Sequence, residues 1–450
     1  MRDTIHFSGI GGFGMSALAQ IAAMEGRKVS GSDRDFDRGR AAPIRAALER
    51  LGVSIRPQDG SGVDGATAEL ALSTAIEESN PEVLRAKEAG IKISHRSELL
   101  AAQVEAFDAI VVAGTSGKST TAAMLFTILE GAGLNPSIIT GGALLALRER
   151  GLQGNAFRGK GRILVVEGDE SDGTLTRYKP KAGLLLNITK DHKEVPELRG
   201  IFSAFAANCG SFLACADDPE AAALVPGARV FGAGAGGWKL EDVRLEPLAS
   251  RFRLNGEEFF LPTPGRYNVE NALAAAAGAS LFGVTPRQAA DALRTFRGVD
   301  RRFALVGEKG GVKVIDDFAH NPAKLAAALR ALRGAAQGRV IAVYQPHGFA
   351  PARLMRREFV QVFSSLLRPE DLLMMPEIYF AGGTVAKDIS SGDIAAEVAA
   401  AGRRAVFFPD RSRIPAAAAA EARPGDIIAV MGARDATLSD LAREILAALR

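Results

Sequence analysis

The chain has 450 residues, 47% hydrophobic and 24% charged, an ordinary balance for a globular protein of about three domains. Its 55 lysines and arginines stand against 52 acids, a net charge of +3, too even to single out nucleic acid or an anionic membrane surface as the main partner. Two cysteines, Cys209 and Cys215, do not make a disulfide framework, and no apolar run approaches the ~20 residues of a bilayer span. With no signal-peptide core near the start, a reducing cytoplasm is the expected location.

The first block is expected over residues 1–107. Ile5–Ile10 reads as a strand, followed by Gly9, Gly11, Gly12 and Gly14 and a helical run through Met15, Leu18 and Ile21. Lys28–Asp33 reads as a second strand ending in an acid. Glycines at the first turn, with an acid about 20 residues on, make a Rossmann-like βαβ opening. A nucleotide-free turn with tight packing remains the alternative.

The second block is expected over 108–297. Ile110-Val111-Val112 predicts a strand that runs into Gly114, Thr115, Ser116, Gly117, Lys118, Ser119 and Thr120, with a helix through Met124, Leu125 and Ile128. Such a turn cradles phosphate: glycines let N–H groups approach it, and the helix N-terminus adds favourable partial charge. Lys118 would reach the outer phosphates and Ser119 would ligate Mg²⁺. The loop is shorter than a Walker loop, because only Thr115 and Ser116 separate Gly114 from Gly117. Arg162–Val166 predicts a strand ending in Glu167, and Ala182–Thr189 another ending at Asp191 and His192. Glu167 and His192 are then candidate metal ligands, although His192 reads equally as a capping or core histidine. Asp169, Glu170 and Asp172 read as a solvated acidic turn. An alanine-rich helix starts near Val269.

The third block, 298–450, alternates strands (312–315, 340–344, 372–375, 405–408, 427–430) with helices (323–333, 353–367, 391–400, 438–449) and predicts a second doubly wound sheet. Arg301 and Arg302 at its start would clamp a nucleotide phosphate or face solvent. Asp317 at a strand end, His320 and His347 are placed by this pattern at one sheet edge. The expected fold is α/β with three domains: Rossmann-like, phosphate-loop ATPase with a mostly parallel sheet, and Rossmann-like again.

Taken together these motifs resemble the Mur ligase family of ATP-dependent peptidoglycan synthetases. The likeness runs over His6–Ser16, Ser30–Asp33, Ser73–Ile76 with Asn80-Pro81-Glu82, Ala113–Thr121, Glu167–Asp172, Asn187-Ile188 with Asp191-His192, Pro264-Gly265-Arg266 with Asn268 and Asn271, Phe296–Phe303, and Gln345-Pro346-His347. The resemblance implies ATP and Mg²⁺, an acceptor carboxylate of the UDP-N-acetylmuramate type, and an amino acid as amine, with L-alanine the default. It implies that Lys118 meets the γ-phosphate, that Ser119 and Glu167 hold one Mg²⁺, and that His192 serves a second. Gly114–Thr120, Asn268, Asn271, Arg302 and Asp317 are assigned to ATP on the same footing. Gly11, Gly12, Gly14, Met15, Ser32, Asp33, Ser73, His320 and His347 are assigned to the substrates.

The departures are specific. Ser116 replaces the usual His of the loop, Ser119 a Thr, Thr189 an acid and Tyr267 a His. Where the alanine-adding branch carries two arginines after Gln-Pro-His, this chain has Gly348-Phe349-Ala350-Pro351-Ala352. Asp316–His320 instead is similar to the branch that recycles murein peptide. A murein tripeptide ligase of peptidoglycan recycling, a ligase for another amine, and a non-catalytic nucleotide- or UDP-sugar-binding regulatory protein are the alternative readings. Oligomeric state, monomer or homodimer, stays open.

Overall fold

The computed structural model describes every residue except Met1, Asp172, Asp191, His192, Pro226, Ala381, Gly383, Thr384 and Val385. The first sheet contains β1 (Thr4–Ser8), β2 (Lys28–Ser32), β3 (Ser54–Arg56), β4 (Thr67–Leu72) and β5 (Lys92–His95), all parallel, in the order β3-β2-β1-β4-β5. The second contains β6 (Asp108–Ala113), β7 (Ser137–Ile139), β8 (Ala156–Phe157), β9 (Ile163–Glu167), β10 (Ala182–Leu185), β11 (Ser211–Cys215) and β12 (Arg229–Phe231). Its order is β12-β11-β10-β6-β9-β7-β8, and only β8 runs antiparallel. A three-stranded sheet follows: β13 (Leu240–Leu245), β14 (Ser250–Leu254) and β15 (Glu257–Leu261). The last sheet contains β16 (Ala304–Lys309), β17 (Val312–Asp317), β18 (Val340–Gln345), β19 (Leu372–Pro376), β20 (Arg404–Phe408) and β21 (Ile427–Gly432) in the order β16-β17-β21-β18-β19-β20. It is parallel except for β16.

The chain falls into two compact units. One holds Met1–Glu241, Arg253–Phe259 and Glu270–Arg297; the other holds Asp242–Phe252, Phe260–Val269 and Gly298–Arg450. The first two sheets therefore share one unit, for a physical reason. The helix Phe13–Met24 carries Gln20, whose Nε2 donates to Asn155 Oδ1 at 2.8 Å. Asn155 Nδ2 donates in turn to the Phe13 carbonyl at 2.7 Å. Both side chains are fully buried, and a buried amide left unpaired is costly, so this network joins the glycine turn of the first sheet to the second.

Central strands are apolar along their whole length because helices cover both faces. Ile110, Val111 and Val112 are fully buried in β6. In the second unit, Ile315, Ala342 and Ala429 face one core, and Val314, Val343 and Ile428 face the other, the alternation of a strand. No helix among the described residues is long and apolar enough to cross a membrane.

Three elements differ from expectation. The strand expected over Ala182–Thr189 pairs only to Leu185, because Asn187 and Thr189 bond the phosphate loop instead. The strand expected to end at Asp33 ends at Ser32; Asp33 caps the helix Arg34–Asp37 by accepting from Asp35 N. The helix expected over Arg353–Leu367 breaks into Phe349–Leu354 and Arg356–Leu366. The break precedes Phe359 and Phe363, which both pack on Tyr344 with ring centroids 5.5 Å apart.

In β2, Gly31 stands where a Cβ would lie 2.8 Å from the Phe7 carbonyl and 2.5 Å from Ile10 Cδ1. Gly31→Ala is expected to cost about 1–3 kcal/mol of stability, measured by denaturant unfolding. An unchanged midpoint would show that the β1–β2 contact has slack.

Candidate functional site

The carboxyl ends of β6, β9 and β10 converge on one loop. After β6 the chain passes Gly114 (φ 138°) and Gly117 (φ 85°) into the helix Lys118–Gly131. These dihedrals favour glycine, and there is no room for more. A Cβ on Gly117 would lie 2.5 Å from Asn271 Oδ1, and one on Gly114 would press on the Asn187 backbone at 3.2 Å. The helix begins without a side-chain cap, so its first N–H groups stay available to an anion.

Lys118 Nζ donates to the Gly114 carbonyl at 2.7 Å and to Glu170 Oε2 at 2.6 Å. Ser119 Oγ donates to Glu167 Oε1 at 2.8 Å. The other oxygen of Glu167 accepts from Thr140 Oγ1 and Gly141 N, each at 2.7 Å. Glu170, read from sequence as part of a solvated turn, is buried at 4% exposure. Its charge is kept in the interior by the lysine it pairs with. Thr121 Oγ1 donates to Asn271 Oδ1 at 3.2 Å, which sets that amide against Gly117. His192, an expected metal ligand, lies outside the described residues.

Asn187 is the functional residue that sequence reasoning left without a role. Its Oδ1 accepts from Thr115 N at 3.1 Å, Ser116 N at 2.9 Å and Thr115 Oγ1 at 2.9 Å, while its Nδ2 donates to the Ser116 carbonyl at 3.1 Å. Thr189 Oγ1 meets Thr115 Oγ1 at 2.8 Å. A side chain from beyond β10 thus braces the loop where a Walker loop has further residues of its own. The signal was the shortness of the loop itself.

In the same unit a cleft of about 590 Å³ is lined by Gly12, Gly14, Met15, Asp33 and Ser73 on one side and by Thr140, Gly141 and Glu167 on the other. Gly11 and Ser32 are not in its lining. Gly11 N donates to Asp33 Oδ2 at 2.9 Å, and the Ser32 carbonyl accepts from Gly9 N and Ile10 N at 2.9 Å each. Asp33 therefore spends its two oxygens on backbone N–H groups while bordering the cleft. Arg96 also lines it, and its guanidinium would be 3.3 Å from a Cβ on Gly14.

In the second unit, Asn268 Nδ2 donates to Thr263 Oγ1 at 3.1 Å and the Pro264 carbonyl at 2.7 Å. Arg302 lies over the Phe318 ring, 4.8 Å from its centroid. It is flanked by Arg301 (φ 55°) and Phe303 (φ 50°), both left-handed. Asp317 holds this turn: Oδ2 accepts from Phe303 N at 2.7 Å and Oδ1 from Ala319 N at 2.8 Å. Burial pushes the Asp317 carboxyl above its usual range, against the pull of those two N–H groups. Arg301 Nε pairs with Asp316 at 3.3 Å, whereas Arg302 has no ion pair of its own among the described residues. His320 and His347 meet edge to face, ring centroids 5.3 Å apart.

Three family models match along the chain: "Mur ligase family, catalytic domain" over residues 4–108, "Mur ligase middle domain" over 112–279, and "Mur ligase, glutamate ligase domain" over 301–434. The chain belongs to the Mur ligase family. Among its relatives, the UDP-N-acetylmuramate–L-alanine ligase of Jannaschia sp. is 37% identical, with 96% of this chain and 92% of that protein covered. The ligase of the same name from Mycobacterium sp. (strain JLS) is 36% identical over 99% of this chain and 95% of its own length. The crystal structure of the UDP-N-acetylmuramate–alanine ligase of Thermotoga maritima matches with a TM-score of 0.81 at 26% identity, covering 99% of this chain and 98% of that one. A murein peptide ligase from Psychrobacter arcticus shares the fold, with a TM-score of 0.69 at 21% identity over 99% and 98% of the two chains. The α/β architecture with mostly parallel sheets is thus that of a Mur ligase.

Asn187→Ala removes four hydrogen bonds to the loop. It is expected to raise the KM for ATP about tenfold, with little change in the KM of the acceptor. Equal KM values for ATP in variant and parent would show that the loop holds its shape without the brace.

Proposed function

We propose that this Mur ligase joins L-alanine to the carboxylate of UDP-N-acetylmuramate at the expense of ATP, in peptidoglycan precursor synthesis. The observation that carries the reading is that Glu167, the partner of Ser119 in the phosphate loop, lines the same cleft as Gly12, Gly14 and Ser73. An acceptor held by the first sheet then presents its acid beside the loop that holds ATP. The names of the relatives support the acceptor and the amine.

The chemistry needs ATP because a carboxylate is a poor electrophile. A carboxylate oxygen takes the γ-phosphoryl group, the bond from γ-phosphorus to the bridging oxygen breaks, and ADP leaves. The uncharged amine nitrogen then attacks the acyl carbon, the carbon–oxygen bond to phosphate breaks, the nitrogen gives up one proton, which the leaving phosphate can carry, and an amide and inorganic phosphate remain. Phosphoryl transfer is governed by positioning and charge neutralisation. Lys118, held at the loop by Glu170 and the Gly114 carbonyl, has a third ammonium donor left for the γ-phosphate. Ser119 and Glu167 are hard oxygen donors already in contact, the set that Mg²⁺ prefers, and the ion they would hold neutralises phosphate charge. His192 joins the metal site on the family motif alone. Asn271 borders the loop for the base, and Asp317 acts on the nucleotide by fixing Arg302. We place the enzyme in the cytoplasm.

ATP turnover is expected to require both UDP-N-acetylmuramate and an amine, with L-alanine ranked above glycine, L-serine and the murein tripeptide in a coupled assay. Turnover that never uses this sugar nucleotide would reject the acceptor. Lys118→Gln keeps a donor for Glu170 and removes the charge. It is expected to lower kcat by about a hundredfold or more; a wild-type rate would take Lys118 out of the mechanism.

A further inference from the structure

We propose that Arg434 binds the carboxylate of the incoming amino acid; this rests on the ligase reading above. The amine substrate carries a full negative charge, and the turn Gly348–Ala352 offers it no cation. Arg434 follows β21, the strand between β17 and β18. The register sets Asp317 beside Met431 and Gln345 beside Gly432. Arg434 therefore leaves the middle of the sheet edge that also carries Asp317, His320 and His347.

Three other arginines of this unit are engaged within the protein. Arg301 Nη2 donates to the Gly432 carbonyl at 2.7 Å. Arg411 donates to Thr437 Oγ1 at 2.7 Å and pairs with Asp435. Arg353 pairs with Asp388 at 2.9 Å. Arg434, by contrast, is exposed. It has no side-chain hydrogen bond or ion pair among the described residues.

The backbone adds a second observation. Arg434 has φ 62°, a left-handed conformation that favours glycine and strains any residue with a Cβ. The turn is pinned there: Asp435 N donates to the Ala433 carbonyl at 2.8 Å, and Asp435 Oδ1 accepts from Thr437 N at 2.9 Å. Strain of this kind persists where the surrounding structure fixes it, and it gathers at ligand-binding sites. A guanidinium gives the forked, two-bond grip that suits a carboxylate.

The test uses the full-length enzyme and Arg434→Gly. Glycine relaxes the backbone, so the unfolding midpoint is expected to stay level or rise. The KM for L-alanine is expected to rise about 10- to 100-fold, while those for ATP and UDP-N-acetylmuramate hold within about twofold. Preference for L-alanine over L-alaninamide, which lacks the charge, is expected to vanish in this variant and to return in part in Arg434→Lys. An unchanged KM for L-alanine, or a rise in the KM for ATP instead, overturns the assignment while leaving the ligase reading standing. If the unaltered enzyme shows no L-alanine-dependent turnover, the ligase reading itself falls and takes the assignment with it.

Discussion

A lysine held largely out of water needs an anion, and Lys118 has Glu170 at 2.6 Å. Their side chains are 14% and 6% exposed, so breaking the pair without replacement would strand a charge in a poorly solvated place. Lys118 Nζ spends two of its three donors on Glu170 and the Gly114 carbonyl, which leaves one for a phosphate on the loop. The same geometry ties Ser119 to Glu167 one helical residue further on. The loop is thus set for a polyanion by contacts that already exist in the protein.

The scaffold serves this setting. β6 lies between β9 and β10, so the loop after it opens between two neighbouring strand ends, where open α/β sheets bind ligands. β9 brings Glu167, and the segment after β10 brings Asn187 and Thr189. The buried amides of Gln20 and Asn155 join the first sheet to the second within one unit, which puts the glycine turn and Glu167 on one cleft. On the proposed reading, an acid and the group that activates it would meet there in register, and positioning of this kind lowers the barrier to reaction.

Local features were legible in the sequence, and contacts made at long range were not. The strand–glycine–lysine run around Val111–Thr120 announces itself because the turn, the charge and the helix are contiguous. The strand ends at Glu167 and Asp317 are equally local. Glu170 was misread because one acid in an acidic run looks solvated until its partner, 52 residues away, is known. The bracing of Thr115 and Ser116 by Asn187 spans a similar separation. Asp33, assigned to the substrates from its place after β2, has oxygens that accept from Gly11 N and Asp35 N, contacts that its position in the sequence does not announce. Arg434 could not be singled out at all, since nothing in its neighbours signals a left-handed backbone.

The central claim is that the acceptor's own carboxylate oxygen takes the phosphoryl group. UDP-N-acetylmuramate labelled with ¹⁸O in its carboxylate tests it most directly. The account predicts that one labelled oxygen appears in the inorganic phosphate for each amide formed, read by mass spectrometry. Phosphate free of label, with amide made at the normal rate, would contradict it.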